Sequence, residues 1–175
     1  MRRAHRALIV IDMLRDFMEK TGALYCGNRA RRIIPFVKRT INKFRHSGEV
    51  IIYANDAHTR KDREFRLFPK HCVHGESGAE VIPEIAPTER DIIVPKKSYD
   101  ATFKSRLVKI LKMYKIKDVY LVGVCTSICV METASSLTKY GFRVHIFEDG
   151  VADFDPDAHK FALKRMSFIY GAKIV

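Results

Sequence analysis

The stretch VYLVGVCTSICV, residues 119–130, contains the pattern that decides the fold. Its first half, Val119–Val124, is a continuous apolar run, which is typical of a strand buried on both faces of a parallel sheet. The apolar spacing from Ile128 to Tyr140 is that of an amphipathic helix, and Gly141 stands where a C-cap residue is expected. A buried strand that leads directly into a helix predicts one unit of an α/β fold.

The same alternation of strand and helix patterns extends along the chain. Further apolar runs predict strands at Ala7–Ile11, Val50–Ala54, Ile92–Val94 and Val144–Phe147, with a short last strand near Lys173–Val175. Amphipathic spacing predicts helices within Ile33–Phe44 and Phe103–Tyr114, and another that Asp155-Pro156 opens. We therefore expect an α/β fold with three α/β/α layers, in which helices cover both faces of a mostly parallel sheet of about five to six strands.

The composition is that of an ordinary globular protein. Of 175 residues, 47% are hydrophobic, so we expect a single domain over residues 1–175 and exclude a mainly disordered chain. Lys and Arg number 32 against 20 Asp and Glu, and the resulting net charge of +12 permits a polyanionic partner. No zinc-finger, helix-turn-helix or RNA-recognition pattern accompanies this charge, so nucleic acid is not the partner we expect.

The apolar runs of the chain predict neither secretion nor a membrane partner. The run Ala7–Ile11 breaks at Asp12, too early for a signal-peptide core, and the uncharged stretch Val119–Met131 is too short for a membrane helix. We therefore expect a cytoplasmic protein. In that compartment the four cysteines are expected to be free thiols: Cys26, Cys72, Cys125 and Cys129.

Polar side chains of different chemistry follow the predicted strands. Asp12 follows the first strand, Asp56 and His58 the second, Lys96 the third and Cys129 the fourth. Because the carboxyl ends of parallel strands meet at one edge of a sheet, we expect an acid, an imidazole, an amine and a thiol to lie together there. The long polar segment after the second strand is also expected to be functional.

Cys129 stands near the start of a predicted helix, and the presence of a thiol there has two possible explanations. The positive end of the helix dipole would lower its pKa, and unpaired N–H groups there could hold an oxyanion. Asp12 could then take the thiol proton while Lys96 stabilises the charges that form. The alternative is that Cys129 is a buried and inert packing residue, which is common for cysteine.

The polar segment after the second strand contains candidate metal ligands. Asp56, His58 and His71 would bind a divalent ion and leave coordination positions open, as catalytic metal sites do. Glu64 lies between them in sequence and could add a ligand. The alternative is that two of the seven histidines fall near an acid by chance.

Five segments of the chain together resemble the motifs of one enzyme family. In chain order they are IVIDMLRDF at 9–17, DAH at 56–58, PKHCV at 69–73, KKSY at 96–99 and GVCTSICV at 123–130. The family is the isochorismatase-like cysteine hydrolase superfamily, and its nicotinamidase/pyrazinamidase branch is the most similar. The match is collinear from about residue 7 to the C-terminus, and motifs in this order and spacing are specific for the superfamily.

The resemblance implies a catalytic triad of Asp12 as the base, Lys96, and Cys129 as the nucleophile. It also implies a non-proline cis peptide bond between Val124 and Cys125, and an oxyanion held by the N–H groups of Cys125 and Cys129. The implied reaction is hydrolysis of a small amide, first of all nicotinamide or pyrazinamide, to the acid and ammonia. It would proceed through a thioester on Cys129.

The resemblance also implies a bound divalent metal, with Zn²⁺ as the first candidate, that holds the ring nitrogen of the substrate. Its implied ligands are Asp56, His58 and His71, with Glu64 as an optional fourth. The resemblance further implies that Phe17, Phe68 and Tyr99 contact the substrate. For the two phenylalanines, ordinary packing in the core is an equally good explanation. Since the family often forms dimers or larger assemblies, we expect a homo-oligomer.

Departures from the nicotinamidase motifs, three of them expected in the pocket wall, leave a second function open. Ala57 replaces the usual tryptophan of the metal motif, Phe68 stands where tryptophan is common, and Asp100 begins a stretch that differs from the family pattern. Altered pocket walls around intact chemistry would suit a hydrolase of N-carbamoyl compounds, such as N-carbamoylsarcosine, or of another small amide or ureido substrate. The predicted metal ligands argue against the N-carbamoyl branch, which needs no metal.

Overall fold

A six-stranded parallel sheet forms the centre of the computed structural model, which describes residues 6–175. The strands are β1 (Arg6–Ile11), β2 (Val50–Asp56), β3 (Ile92–Lys96), β4 (Asp118–Val124), β5 (Arg143–Ala152) and β6 (Lys173–Ile174). Their spatial order is β3-β2-β1-β4-β5-β6, and every neighbouring pair is parallel. The predicted α/β sheet of five to six strands is confirmed.

Helices connect these strands. They are α1 (Arg15–Met18), α2 (Gly27–Arg32), α3 (Ile34–His46), α4 (Leu107–Met113), α5 (Met131–Lys139) and α6 (Pro156–Phe168). A π-helical turn, Thr126–Val130, leads from β4 directly into α5. Among residues 6–175, no helix combines the length and the apolar character that crossing a membrane requires.

The sheet separates two hydrophobic cores, because successive side chains of a strand point to opposite faces. In β1, Val10 packs into the core that contains Val37 of α3. Its neighbour Ile9 packs into the other core, together with Leu137 of α5 and Met166 of α6. All five side chains are fully buried. Helices therefore cover both faces of the sheet, which confirms the predicted three-layer arrangement.

The helix predicted within Phe103–Tyr114 is shorter in the structure. Only Leu107–Met113 is helical, and the Phe103 side chain is 53% exposed rather than packed on a helix face. The carboxylate of Asp100 accepts hydrogen bonds from the Thr102 N–H at 2.7 Å and from the Thr102 hydroxyl at 2.9 Å. This local capture of the backbone holds the segment in a turn and delays the start of α4.

Strand β5 continues beyond its predicted end at Phe147. Its register with β4 shifts, since Leu121 pairs with Ile146 while Gly123 pairs with Val151. The intervening residues Phe147–Gly150 form an irregularity that lengthens the strand. As a result the residue that follows β5 at the carboxyl edge of the sheet is Asp153.

Candidate active site

Lys96 occupies the centre of a buried cluster at the carboxyl edge of the sheet. Its Nζ lies 2.7 Å from Asp12 Oδ2, 2.5 Å from Asp56 Oδ1 and 3.6 Å from Cys129 Sγ. The four residues come from the ends of β1, β2 and β3 and from the turn after β4. Burial by itself would lower the pKa of Lys96, but the two carboxylates raise it well above its ordinary value. The amine is therefore a permanent cation between two acids.

Asp12 faces both the lysine and the thiol. Its backbone has a φ of 52°, and its Oδ1 accepts the N–H of Asp56 at 2.8 Å. An oxygen of Asp12, an oxygen of Asp56 and the sulfur of Cys129 lie within 4.8 Å of one another. Burial and the Asp56 charge raise the pKa of Asp12 to about 6, while Lys96 acts in the opposite direction. At neutral pH the Asp12 carboxyl is thus ionised and able to accept a proton.

Cys129 is a buried thiol, and this corrects the expectation of a lowered pKa. Only 6% of the residue is exposed. Burial, together with the charges of Asp12 and Asp56, raises the pKa of Cys129 well above its ordinary value, although the nearby Lys96 acts in the opposite direction. Desolvation of the thiolate outweighs the helix dipole, which is why the pKa of Cys129 rises instead of falling. At neutral pH the proton therefore resides on the sulfur, beside an ionised acceptor.

The π-helical turn fixes the position of the thiol. The Val124–Cys125 peptide bond at its start is cis. The Cys125 carbonyl accepts N–H groups of Ile128 at 3.1 Å and of Val130 at 3.2 Å, so the turn closes over Cys129. Strand β4 also approaches β1 closely before the turn, because a Cβ on Gly123 would lie 1.9 Å from the Ile11 carbonyl oxygen.

Asp153 supports this turn and was missed in the sequence. Its Oδ2 accepts the Ser127 N–H at 2.7 Å, and its Oδ1 accepts the Asp155 N–H at 3.2 Å. The side chain is buried. The apolar run of the fifth strand ends at Phe147, so the buried acid that follows the longer strand was not predicted.

Asp56, His58 and His71 form a set of groups that fits a metal ion. Their ligand atoms lie within 4.8 Å of one another, and all three residues are buried. The Nε2 atom of His58, which lies 3.6 Å from Asp56 Oδ2, is buried without a hydrogen-bond partner. A buried polar atom without a partner is costly, and a divalent ion bound by these nitrogen and oxygen donors would remove that cost.

The other ring nitrogens of the two histidines are held by neighbours. His58 Nδ1 lies 3.2 Å from Asp62 Oδ2, and His71 Nδ1 lies 2.8 Å from the Pro69 carbonyl oxygen. These contacts orient both Nε2 atoms toward the candidate metal position, as partners of metal-binding histidines commonly do. Asp62 was not predicted, because its only signal in the sequence is its position four residues after His58.

Glu64 lies at the edge of this set. Its Oε1 is 3.7 Å from His71 Nε2, and its Oε2 is 4.0 Å from His58 Nε2. Tyr99 faces the same carboxylate. Burial is the main cause that raises the pKa of the Tyr99 phenol, and the negative charge of Glu64 is the next. Glu64 is therefore close enough to serve as a further ligand after a small movement, or to contact a bound molecule.

A cavity of about 420 Å³ joins the thiol cluster and the histidine set. Its wall is mostly apolar and aromatic, and Phe17 and Phe68 lie with ring centroids 5.6 Å and 6.3 Å from that of His71. The lining includes the predicted Phe17, Phe68, Tyr99, Val124 and Cys125, and also Leu24, Tyr25, Cys26, Ile128 and Phe154, which were not predicted. Both kinds of chemistry thus open onto one space of small-molecule size.

Two of the three departures expected in the pocket wall lie away from this cavity. Ala57 and Asp100 do not line it, whereas Phe68 does and is 36% exposed. Asp100 instead accepts hydrogen bonds from Thr102 and, at 2.7 Å, from the Ser136 hydroxyl. The proposal that all three reshape the pocket wall therefore holds only for Phe68.

Asp16 ties together the segments around the cavity, a role that the sequence analysis did not assign. Its Oδ2 accepts the Cys72 N–H at 2.7 Å, and its Oδ1 accepts the Ala23 N–H at 3.2 Å. Gly78 packs so closely that a Cβ there would lie 2.1 Å from Asp16 Oδ2. The carboxylate links the start of the chain to the loop that carries His71.

Solved structures of known enzymes have the same fold. The nicotinamidase of Bacillus subtilis superposes with a TM-score of 0.93 at 32% identity, over 98% of this chain and 99% of that one. The pyrazinamidase of Pyrococcus horikoshii, solved in complex with zinc, gives 0.91 at 36% identity over 98% of each chain. The N-carbamoylsarcosine amidase of Thermoplasma acidophilum gives 0.89 at 32% identity, over 97% of this chain and 94% of that one.

The sequence itself matches a family model over nearly its full length. That model is the isochorismatase domain, and the match spans residues 6–175. It includes all of the strand-end residues that form the cluster around Lys96. The chain therefore belongs to the isochorismatase family.

Proposed function

We propose that this protein is a metal-containing cysteine amidohydrolase that hydrolyses a small amide, with nicotinamide and pyrazinamide as the first candidates. One observation carries the proposal: Asp12 and Cys129, from the buried cluster around Lys96, line the same cavity as Asp56 and His71 of the ligand set, with His58 buried behind them. The first group of residues suits attack on a carbonyl, and the second suits binding of a ring nitrogen through an ion.

The first half of the proposed reaction forms a thioester. Asp12 accepts the proton of Cys129, and the thiolate attacks the amide carbonyl carbon. Lys96 stabilises the negative charges that pass between the sulfur and the carboxylate. The N–H groups of Cys125 and Cys129 donate to the oxyanion, and a rigid turn keeps them in place without reorganisation.

The second half releases both products. The proton on Asp12 passes to the leaving amine, and ammonia departs from a primary amide while the acyl group stays on Cys129. Asp12, again ionised, then takes a proton from a water molecule that attacks the thioester. The acid leaves, and the thiol recovers its proton. One carboxylate whose pKa is about 6 can serve as both acid and base near neutral pH.

The residues around the candidate metal position account for substrate orientation. When bound by Asp56, His58 and His71, a divalent ion supplies a Lewis acid that can hold a nitrogen of the substrate ring. Phe17 and Phe68 then flank an aromatic ring, and Tyr99 and Glu64 present polar groups at its edge. A planar heteroaromatic amide uses each of these features.

The similar structures support the reaction class and leave a second substrate class open. Their names are nicotinamidase, pyrazinamidase in complex with zinc, and N-carbamoylsarcosine amidase. An N-carbamoyl compound presents the same type of carbonyl to Cys129. The buried His58 Nε2 favours a metal-containing enzyme, because the atom has no hydrogen-bond partner and a divalent ion would bind it.

Ammonia release from nicotinamide, pyrazinamide and N-carbamoylsarcosine tests the proposal, with metal content measured on the same preparation. We expect release from a heteroaromatic amide, about one zinc per chain, and loss of turnover in Cys129→Ala without loss of zinc. Cys72→Ala, which removes a buried thiol outside the cavity, is the matched control and should remain active. Activity in Cys129→Ala would refute the nucleophile, and release from N-carbamoylsarcosine alone would move the substrate to the alternative class.

A further inference from the structure

Two thiols face each other in the wall of the substrate cavity. The sulfurs of Cys26 and Cys125 lie 3.4 Å apart, although the residues are 99 positions apart in sequence. Both residues line the cavity and both are free. The proposed amide hydrolysis uses neither side chain, since Cys125 contributes only its backbone N–H. The pair therefore calls for a separate explanation.

The separation of the two sulfurs is within reach of a disulfide bond. A disulfide bond is about 2.05 Å long, so joining the two sulfurs requires an approach of roughly an ångström and a half or less. Cys26 lies at the end of the loop before α2, and its Sγ also lies 3.5 Å from the Leu24 carbonyl oxygen. Side-chain rotation and a small loop shift can supply that approach without disturbing the sheet.

The other two cysteines have different surroundings. The sulfur of Cys72 is fully buried beside the Gly78 carbonyl oxygen at 3.9 Å and does not line the cavity. Cys129 Sγ lies beside Lys96. Of the four thiols, Cys26 and Cys125 are thus the two that combine mutual contact with access from the cavity.

We propose that Cys26 and Cys125 form a peroxide-sensitive dithiol, which a hydroperoxide entering the substrate cavity converts to a disulfide. This modification does not depend on the identity of the amide substrate.

The oxidation balances with the hydroperoxide as the only oxidant. The Cys26 sulfur attacks one peroxide oxygen, the O–O bond breaks, and a sulfenic acid and water form from hydrogen peroxide. The Cys125 sulfur then attacks the sulfenic sulfur, and hydroxide leaves with the Cys125 proton as a second water. The two thiols lose two electrons, which reduce the peroxide. We assign the first attack to Cys26 because it lies in the loop before α2, whereas Cys125 is held between β4 and the π-helical turn.

The cross-link would act on the candidate active site. Cys125 is the residue between β4 and the turn that carries Cys129, and Cys26 follows Leu24 and Tyr25 in the cavity wall. A disulfide would fix this wall to the turn and pull on the backbone that carries a proposed oxyanion donor. Displacements on this scale at a reacting centre reduce rates by about a hundredfold.

The experiment uses full-length Cys129→Ala, so that the catalytic thiol cannot react. Hydrogen peroxide is added, and the thiols are counted and mapped by mass spectrometry of peptides. We expect two of the three remaining thiols to disappear, a mass loss of two hydrogen atoms, and a peptide that joins Cys26 to Cys125. Dithiothreitol should restore both thiols.

Two further variants in the same background make the assignment specific. Cys26→Ser should abolish the cross-link, and Cys72→Ala should form it as readily as the parent. A cross-link that contains Cys72, or no cross-link at peroxide doses that fully oxidise Cys129 in the wild-type enzyme, would overturn the proposal. Because none of these readouts uses turnover, a failure here is distinct from a failure of the proposed amidohydrolase.

Phenylarsine oxide provides a second measurement, because arsenic(III) bridges two adjacent thiols more firmly than it binds one. Cys129→Ala should retain one equivalent through a wash with excess monothiol and release it to a dithiol. The double variant with Cys26→Ser should retain none. Equal retention by both proteins would show that the two sulfurs do not act as a pair.

Discussion

Lys96 is buried between two carboxylates and pairs with both of them. Removing a buried partner of an ion pair costs about 3–5 kcal/mol, since the other charges are left uncompensated. Lys96→Met keeps most of the side-chain volume and should lower the free energy of unfolding of the metal-free protein by that amount, with loss of turnover. Denaturant unfolding measures the first effect. Lys97→Met, at the exposed next position, should change neither, and equal effects in both variants would contradict this role.

Asp12 should set the acidic limb of the pH–rate profile. Burial raises its pKa to about 6, and it must be ionised to accept the thiol proton. We therefore expect kcat/KM to fall about tenfold for each pH unit below that value and to level off above it. Circular dichroism at each pH controls for unfolding. A profile that is flat down to pH values near the ordinary aspartate pKa would remove Asp12 as the base.

At the residue scale the sequence was informative where position in a strand dictates position in space. Asp12, Asp56, Lys96 and Cys129 follow buried strands, so their meeting could be predicted from the topology rules alone. Residues whose partners lie in loops could not be found in this way. Asp16 of α1 accepts the Cys72 N–H, and Asp62 contacts the His58 imidazole, in loop conformations that no periodic pattern encodes.

The turn after β4 depends on the end of β5. Asp153→Ala removes the acceptor of the Ser127 N–H and should destabilise the protein by about 1–3 kcal/mol, with a loss of kcat larger than any change in KM. Thermal unfolding and steady-state kinetics measure the two effects. Asp149→Ala lies where the sequence analysis placed the strand end, and its exposed side chain should be dispensable. A loss of kcat in Asp149→Ala but not in Asp153→Ala would reverse the assignment.

The positions of helices and strands were predicted more accurately where the hydrophobic pattern of the sequence is strong. The central strands are continuous apolar runs, and their positions agree with the structure within a few residues. The start of α6 was also predictable, because Asp155 Oδ1 accepts the Asp157 N–H at 2.8 Å as an N-cap should. The irregularity in β5 was not predictable, because Glu148 and Asp149 resemble residues that follow a strand. Only pairing with β4 and β6 keeps the segment in the sheet.

The stability of the whole molecule should depend on zinc if the ligand set is assigned correctly. An ion that binds only the folded state, at a hundred times its Kd, adds about 2.7 kcal/mol to the free energy of unfolding. Zinc should therefore raise the unfolding temperature of the chelator-treated wild type and of His74→Ala, whose side chain is exposed. It should not raise that of His71→Ala. Equal zinc responses in the two variants would remove His71 from the ligand set.

Properties beyond the single chain were less accessible than the fold. The homo-oligomer, the cytoplasmic location and the limits of the domain at residues 1–175 stay predictions. Self-association depends on how a surface complements its own copy, and cell location depends on recognition by other proteins. Neither property produces a sequence pattern like the apolar runs that located the strands.

The sheet order has a consequence for how the protein is made. Strand β1 lies in the middle of the sheet between β2 and β4, yet β4 begins only at Asp118. During synthesis β1 can pair with β2 early, while its other edge stays open until most of the chain has left the ribosome. An unpaired apolar edge attracts other chains. The nascent protein should therefore depend most on a chaperone in the interval before β4, the strand that leads to Cys129, emerges from the ribosome.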